Sequence, residues 1–523
     1  MSNFLVRTCF FYFALLTAGY TTSFSQEKSI EKLDRKYLDW HNHDLEKDKI
    51  LGTSVNRAYV EFLGNKTPKK TVVVAVIDSG VDIDHEDLEG KIWINEDEIP
   101  GNNIDDDKNG YIDDIHGWNF IGNKSGENIT YETMEYTRVY KAGSGQNYLR
   151  ARQLYEKELE KRQNEKKSLE KFEEMYYKAK ATIKDKTGID VKSLKDLDAI
   201  SPDEEQDVVT AKRFLMSRYE KGFEEKILKL MIKNNEDYLG KFLNMDFDPR
   251  GIVGDDPVNI KDVGYGNADV KGPRSDHGTS VAGIIAAGRN NNIGIDGIAA
   301  DVKIMCIRST PRGDERDKDV ALAIKYAVDN GADIINLSFG KAISPQKHFV
   351  DEAVKFAENK DVLVVHGSGN GGLDVDAEES YPSDRYLDGS EAANWINVGA
   401  SGMINDETIA AKFSNYGHKH VDLFAPGQNI ISTDSSSTYS MNDGTSLSAP
   451  VVSGIASLIL SYYPDLTTQQ LIAILLESAY KIDKKVIAPG FVDEPKKIKF
   501  RTLSKSGGIV NAFEALKYAE KIK

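Results

Sequence analysis

The sequence predicts an α/β fold, a parallel sheet with helices on both faces, carrying an inserted helical hairpin. Three observations predict it. Short β-branched runs that are apolar throughout, such as residues 71–77, recur along the chain, as strands buried on both faces require. Amphipathic stretches of helical period lie between them, the pattern of a parallel sheet with crossover helices. From 121 to 250 the alternation stops, and Glu, Lys, Arg and Gln, all good helix formers, take over.

Taken in order, the first 25 residues carry one charge, Arg7, before a short apolar run over 9–16 and the small residues Ser23 and Ser25. That is the form of a secretory signal peptide, too short in its apolar run for a membrane span, with a non-cleaved anchor as the alternative. Export to the periplasm or beyond is therefore expected. No stable membrane insertion is expected after cleavage, because no later segment reads as apolar for as long as a spanning helix requires. His41-Asn42-His43 would suit a zinc hydrolase only with a third ligand at usable spacing; lacking one, it reads as a surface turn.

The run at 71–77 opens a domain expected over 26–120 and 251–523. Further strands are expected at 302–307, 333–337, 362–365 and 396–398, with helices at 320–329 and 350–358 between them. Cys306 falls inside a strand with no basic neighbour to activate it, so it reads as a core thiol. In the insertion, 153–171 reads as a helix whose apolar stripe (Leu154, Leu159, Leu169, Phe172, Met175) is incomplete. A second helix is expected at about 208–242. Lys and Arg number 67 against 83 Asp and Glu, a net charge of −16 that argues against nucleic acid as a partner. Two cysteines exclude a disulfide framework.

Three segments carry the chemistry. Asp78, in Ile77-Asp78-Ser79-Gly80, follows a buried strand, where a lone aspartate would usually form a turn. His277, in Asp276-His277-Gly278-Thr279-Ser280, opens a small-residue helix. Ser446, in Gly444-Thr445-Ser446-Leu447-Ser448-Ala449-Pro450, opens an apolar one, where a lone serine would usually be an N-cap. Together, in the order Asp, His, Ser, they resemble the subtilisin-like serine peptidases (subtilases) over about 50–120 and 255–515. The resemblance implies a subtilisin-like fold and an exported serine endopeptidase acting on polypeptide substrates. Ser446 would be the nucleophile, His277 the general base and acid, and Asp78 the group orienting the imidazole. Asn370, in Gly367-Ser368-Gly369-Asn370-Gly371, would be the oxyanion donor beside the Ser446 N–H. Ser338, Phe339 and Gly340 would pair with extended substrate, and with Gly367, Ser368 and Gly369 would wall the primary pocket, with Ser380 at its floor. An apolar preference follows, unless the nearby acids at 374–379 attract Lys or Arg.

The resemblance also implies structural calcium held by the side chains of Asp87 and Asn291 and the carbonyls of Arg289, Ile293 and Ile295. Spacing alone suggests a second calcium loop: Asp105, Asp107, Asn109, the Tyr111 carbonyl and Asp113 around Gly110. Position twelve of that loop is His116, so Asp114 or a carboxylate from elsewhere would have to close the shell. Two features depart from the family. The insertion places Asp78 and His277 199 residues apart, and it reads as a regulatory or gating element with a possible protein partner. About 45 residues separate the signal from the first strand, short for an inhibitory propeptide. The competing reading is a catalytically silent binding protein of the same fold that uses the helical insertion.

Overall fold

The computed structural model describes residues 30–491 and 495–522, so the leader expected over 1–25 lies outside the described residues. The chain forms two compact units: one runs through Thr130 and resumes at Pro249, and the other is Tyr131–Asp248. The strands in chain order are β1 Val72–Asp78, β2 Gly117–Asn119, β3 Val302–Arg308, β4 Ile334–Leu337, β5 Leu363–Gly367, β6 Trp395–Ser401, β7 Leu423–Pro426, β8 Ile430–Asp434, β9 Thr438–Asn442, β10 Tyr480–Lys481, β11 Lys485–Ile487, β12 Lys497–Lys499 and β13 Gly508–Ile509. Nine of them make one sheet, ordered β10-β13-β7-β6-β5-β4-β1-β3-β2, parallel except where β10 meets β13. The expected α/β class is thus the observed one.

The apolar strands divide their side chains between two cores. Val72, Val74 and Val76 point to one face, against helices Asp276–Ala286, Thr445–Tyr462 and Ala512–Ile522. Ala75 and Ile77 point to the other, where helices Asp317–Asp329 and Lys347–Asn359 pack. Alternate residues of one strand bury on opposite faces, so both must be apolar. Helix Thr445–Tyr462 is long and apolar enough to cross a membrane, contrary to the sequence expectation. Its apolarity reflects a central place in the first core, where Val451, Val452, Ile455 and Ile459 are wholly buried.

The N-terminal segment is also core. His41 and Asn42 are fully buried, not a surface turn, because Trp40 inserts beside them and donates from Nε1 to the Asn429 carbonyl at 3.0 Å. Asn42 donates to the Asp296 carbonyl at 2.8 Å. Leu51, Val55, Ala58 and Leu63 continue the burial up to β1.

Residues 121–130, expected in the insertion, belong to the sheet unit, with Ile121 and Ile129 in its second core. The helical unit is built on Tyr148–Thr187, a 40-residue helix. Its buried stripe is Tyr155, Arg162, Leu169, Tyr176 and Ile183, one residue every seven. Aliphatic periodicity alone misses this stripe because an arginine and two tyrosines fill it. The Arg162 guanidinium stacks over Tyr238 at 3.4 Å and pairs with Glu158 and Glu165, each at 2.7 Å. In place of one helix over 208–242 there are two, Gln206–Tyr219 and Glu225–Asp237, broken at Gly222 with φ +78°.

Candidate active site

Asp78 ends β1, and its side chain is 2 % exposed. The Ser79 N–H donates to Asp78 Oδ1 at 2.6 Å. His277 lies in the first turn of helix Asp276–Ala286, which begins five residues earlier than its apolar run suggests. Its Nδ1 meets Asp78 Oδ1 at 2.8 Å and Oδ2 at 3.0 Å, so Nε2 faces away from the carboxylate. The helix reaches the strand this closely because residue 278 is glycine; a Cβ there would meet the Gly80 carbonyl at 2.2 Å. Burial pulls the His277 pKa down, but the charge and hydrogen bond of Asp78 outweigh it, and the net direction is upward.

Ser446 sits in the first turn of helix Thr445–Tyr462, which packs on the His277 helix. The hydrogen bonds of the His277 ring go to Asp78, and none joins it to the Ser446 Oγ. Asn370 follows β5, and its Oδ1 accepts from the Thr445 N–H at 2.9 Å and from Thr445 Oγ1 at 3.0 Å. Those two donors require an acceptor, so the amide nitrogen must face the other way. A side chain placed on Gly444 would come 2.7 Å from Ser446 Oγ and 3.6 Å from Asn370 Nδ2. The hydroxyl and the amide donor thus border one small space.

The expected pocket walls also meet. Ser338 donates to the Ser446 carbonyl at 2.8 Å, and Gly369 N–H donates to Thr445 Oγ1 at 3.0 Å. Ser368 is pinned by its Oγ to the Asn415 carbonyl at 3.1 Å, and a Cβ on Gly367 would strike the Thr445 carbonyl at 2.8 Å. Gly340 faces the Ser380 hydroxyl, with Phe339 half-buried beside it. Sequence reasoning gave His366 no role, yet its Nε2 lies 2.9 Å from the Phe339 carbonyl and bonds one wall to the other. Two of the nearby acids are already engaged: Asp376 accepts from the N–H groups of Lys419 and His420 in a distant segment, and Glu379 accepts from Tyr381 and Ser383 in its own loop.

Both expected calcium regions bring acids together. Asp87 Oδ1 accepts from Asn291 Nδ2 at 3.0 Å and Oδ2 from the Ile295 N–H at 2.9 Å, and burial raises its pKa. Asp39, which no sequence pattern marks, bonds the Asp296 N–H at 3.1 Å. Burial, with Asp296 and Asp87 adding like charge, pushes its carboxyl up to about 7. In the second region, carboxylate oxygens of Glu98, Asp105 and Asp107 lie within 4.8 Å of one another. Asn109 bonds Asp105 and Asp107 through its N–H, each at 3.0 Å. The Tyr111 ring packs on Trp118 and Tyr326. Asp113 turns away to accept from the N–H groups of Gly101, Asn102 and Asn103, and Glu98 stands with the acids instead. Asp114 is taken by Tyr326, Asn95 and Asn109.

The fold and site define a class: a parallel α/β protein, covered on both faces, with an acid–imidazole couple at the carboxyl edge of its sheet and a serine opening the adjacent helix. The chain belongs to the subtilase family, whose model matches residues 69–508. It is 37 % identical over 221 residues to a thermophilic serine proteinase of Bacillus sp. (strain AK1), covering 42 % of this chain and 49 % of that one. Over 245 residues it is 34 % identical to the major intracellular serine protease of Bacillus subtilis (strain 168), covering 45 % and 72 %. Subtilisin Savinase of Lederbergia lenta is 37 % identical over 196 residues, covering 37 % and 66 %. Among solved structures, proteases from Pseudoalteromonas arctica PAMC 21717 align over 92 % of this chain and 98 % of theirs, at 20 % identity and TM-score 0.47. The chain spans about half the length of several of the curated relatives it matches.

Proposed function

We propose that this chain is an exported serine endopeptidase that cleaves polypeptides through an acyl-enzyme. The observation that carries the reading is the contact of the His277 ring with both oxygens of buried Asp78, beside the helix that Ser446 opens. Asp78 accepts a hydrogen bond from the Nδ1–H and so keeps Nε2 the basic nitrogen. Nε2 takes the Ser446 proton as Oγ attacks the scissile carbonyl, and the imidazolium then gives that proton to the leaving amine. Water repeats the cycle on the ester, returning the acid product and free Ser446. The tetrahedral oxyanion is met by Asn370 Nδ2 and the Ser446 N–H, favoured by the positive end of the helix. With Asp376 engaged by the backbone of 419–420 and Glu379 by Tyr381 and Ser383, the pocket suits apolar side chains. Ser446→Ala should abolish peptide cleavage and labelling by a serine-directed phosphonate while the fold is retained. Equal labelling of both proteins would refute the triad, and a folded parent that neither cleaves nor labels would make the chain a silent binding protein.

The donor sets also fit structural calcium. Asp87, Asn291 and the carbonyls of Arg289, Ile293 and Ile295 would hold one ion, whose charge would relieve the buried Asp87 and Asp39 carboxyls. Glu98, Asp105 and Asp107 would hold a second. The helical unit is proposed as a regulatory or gating element that meets a protein partner. Its removal should spare small chromogenic peptides and alter cleavage of folded proteins; identical cleavage of both would refute this.

A further inference from the structure

Arg308 ends β3 in register with Asp78, on the sheet face that carries the His277 helix. It is 1 % exposed, yet among the described residues no carboxylate lies within bonding reach of its guanidinium. Nε donates to the Ser79 carbonyl at 2.9 Å, Nη1 to Asn119 Oδ1 at 3.0 Å and Nη2 to the Ile129 carbonyl at 2.6 Å. The chain leaves room for it: at Gly272, φ +60°, a Cβ would sit 2.3 Å from Nε. Buried charges are ordinarily paired, and this one is bonded only to neutral acceptors, with Asp269 the carboxylate that compensates it at longer range. Burial lowers its pKa to about 10, which still leaves it a cation at neutral pH. Ser79 links it to the site, since the N–H of that residue bonds Asp78 Oδ1 and its carbonyl bonds Arg308.

We propose that Arg308 is a positioning residue for the Asp78–His277 couple, anchoring the Ser79 backbone, whose N–H orients Asp78, through its carbonyl, and placing a buried positive charge that opposes protonation of His277. The proposal rests on the triad reading above. The other charges around His277 are Asp78 on β1 and, on its own segment, Asp276 and Arg274, which pair at 2.8 Å. Lys271 pairs with Asp82 at 2.5 Å, and Asp269 is bonded by Asn128 and the Gly272 N–H. Asp434 on β8 bonds the Ser435 N–H. Asp87 lies past the far end of the helix, where its carbonyl accepts from the Gly288 N–H, His85 bonds the Thr438 carbonyl, and helix Thr445–Tyr462 contributes no charge.

The test compares Arg308→Gln and Arg308→Lys with the parent, using the pH profile of kcat/KM on a chromogenic peptide, melting temperatures and Ser446→Ala as control. Arg308→Gln should move the acid limb upward, by up to about 1 pH unit, the order expected for loss of one buried charge on the neighbouring strand. Its kcat should fall with KM unchanged. Arg308→Lys keeps the charge, so its limb should stay in place while kcat falls through the loosened Ser79 peptide. A merely structural arginine would lower both melting temperatures and move neither limb, so an Arg308→Gln limb superimposed on the parent overturns the proposal. If Arg308→Gln does not fold, Arg308→Lys decides: a limb in place with lower kcat supports the proposal, and a displaced limb or unchanged kcat overturns it. Activity remaining in Ser446→Ala would instead sink the triad reading, a separate outcome.

Discussion

Replacing Asp78 by asparagine keeps the shape of the site and reverses its proton logic. Asp78 Oδ1 accepts from the Ser79 N–H at 2.6 Å, so in Asp78→Asn the new amide oxygen must take that place. The NH2 group then occupies the Oδ2 position, 3.0 Å from His277 Nδ1, and opposes a proton there, while the oxygen at the Oδ1 position, 2.8 Å away, is a weaker neutral acceptor already holding the Ser79 N–H. The ring answers by moving its proton to Nε2, the nitrogen that has to receive the Ser446 proton. Losing the carboxylate also removes its attraction for the imidazolium formed in the reaction, about 4 kcal/mol at about 4 Å and an effective dielectric of about 20. The reversed tautomer adds about 1–2 kcal/mol, the net worth of a hydrogen bond. Together the loss is about 5–6 kcal/mol, or about 10⁴-fold in kcat. The assay is turnover of a chromogenic peptide against pH, with circular dichroism to show an intact fold. In the parent the acid limb should lie above 6.5, because Asp78 outweighs burial and raises the His277 pKa, and activity requires the neutral ring. In Asp78→Asn the limb should move down as kcat falls. A folded Asp78→Asn within tenfold of parental kcat, or with an unmoved limb, would refute this account.

Asn370→Ala should lower kcat by about 10²–10³ with KM nearly unchanged, since the amide meets charge that exists only in the transition state; steady-state kinetics with unaltered kcat would place the donor elsewhere. Calcium chelation should lower the melting temperature of the parent more than that of Asp87→Ala, and equal, unchanged values would remove that site. Asp105→Ala/Asp107→Ala should bind one calcium fewer by titration calorimetry, and parental stoichiometry would leave the Glu98 cluster without an ion. Trp40→Ala should cost about 3–5 kcal/mol in denaturant unfolding, because the side chain is wholly buried and bonded to Asn429. An unchanged midpoint would mean that the segment before β1 is dispensable to the domain.

The class of fold was legible because its signal is local. A strand buried on both faces must be apolar at every position, as β1 is, and a helix between two such strands must show a stripe. Asp78, His277 and Ser446 could be picked out for a related reason: strand ends and helix starts are where a short motif projects one side chain into a crevice. What the sequence leaves open is which distant groups share one environment. Asp78 and His277 are 199 residues apart, and only folding brings Nδ1 onto the carboxylate and turns Nε2 away from it. Loop spacing nominated Asp113 with Asp105 and Asp107, but the backbone of 101–103 offers it three donors, and Glu98 stands with the acids instead. His41 and Asn42 are polar by composition and buried by position, because Trp40 fills a hole in a core assembled from distant segments. The seven-residue stripe of helix Tyr148–Thr187 was hidden in the same way, since Arg162 counts as a surface residue until Tyr238, Glu158 and Glu165 surround it. Arg308 is the extreme case. One arginine at a strand end carries no local signal, and its position beside Asp78 depends on which strand the sheet sets next to β1. The sequence alone determined periodicity and end signals, which depend on nearest neighbours; the tertiary structure decided burial, partner and proton, because the free energy of a charge depends on what surrounds it after the chain has folded.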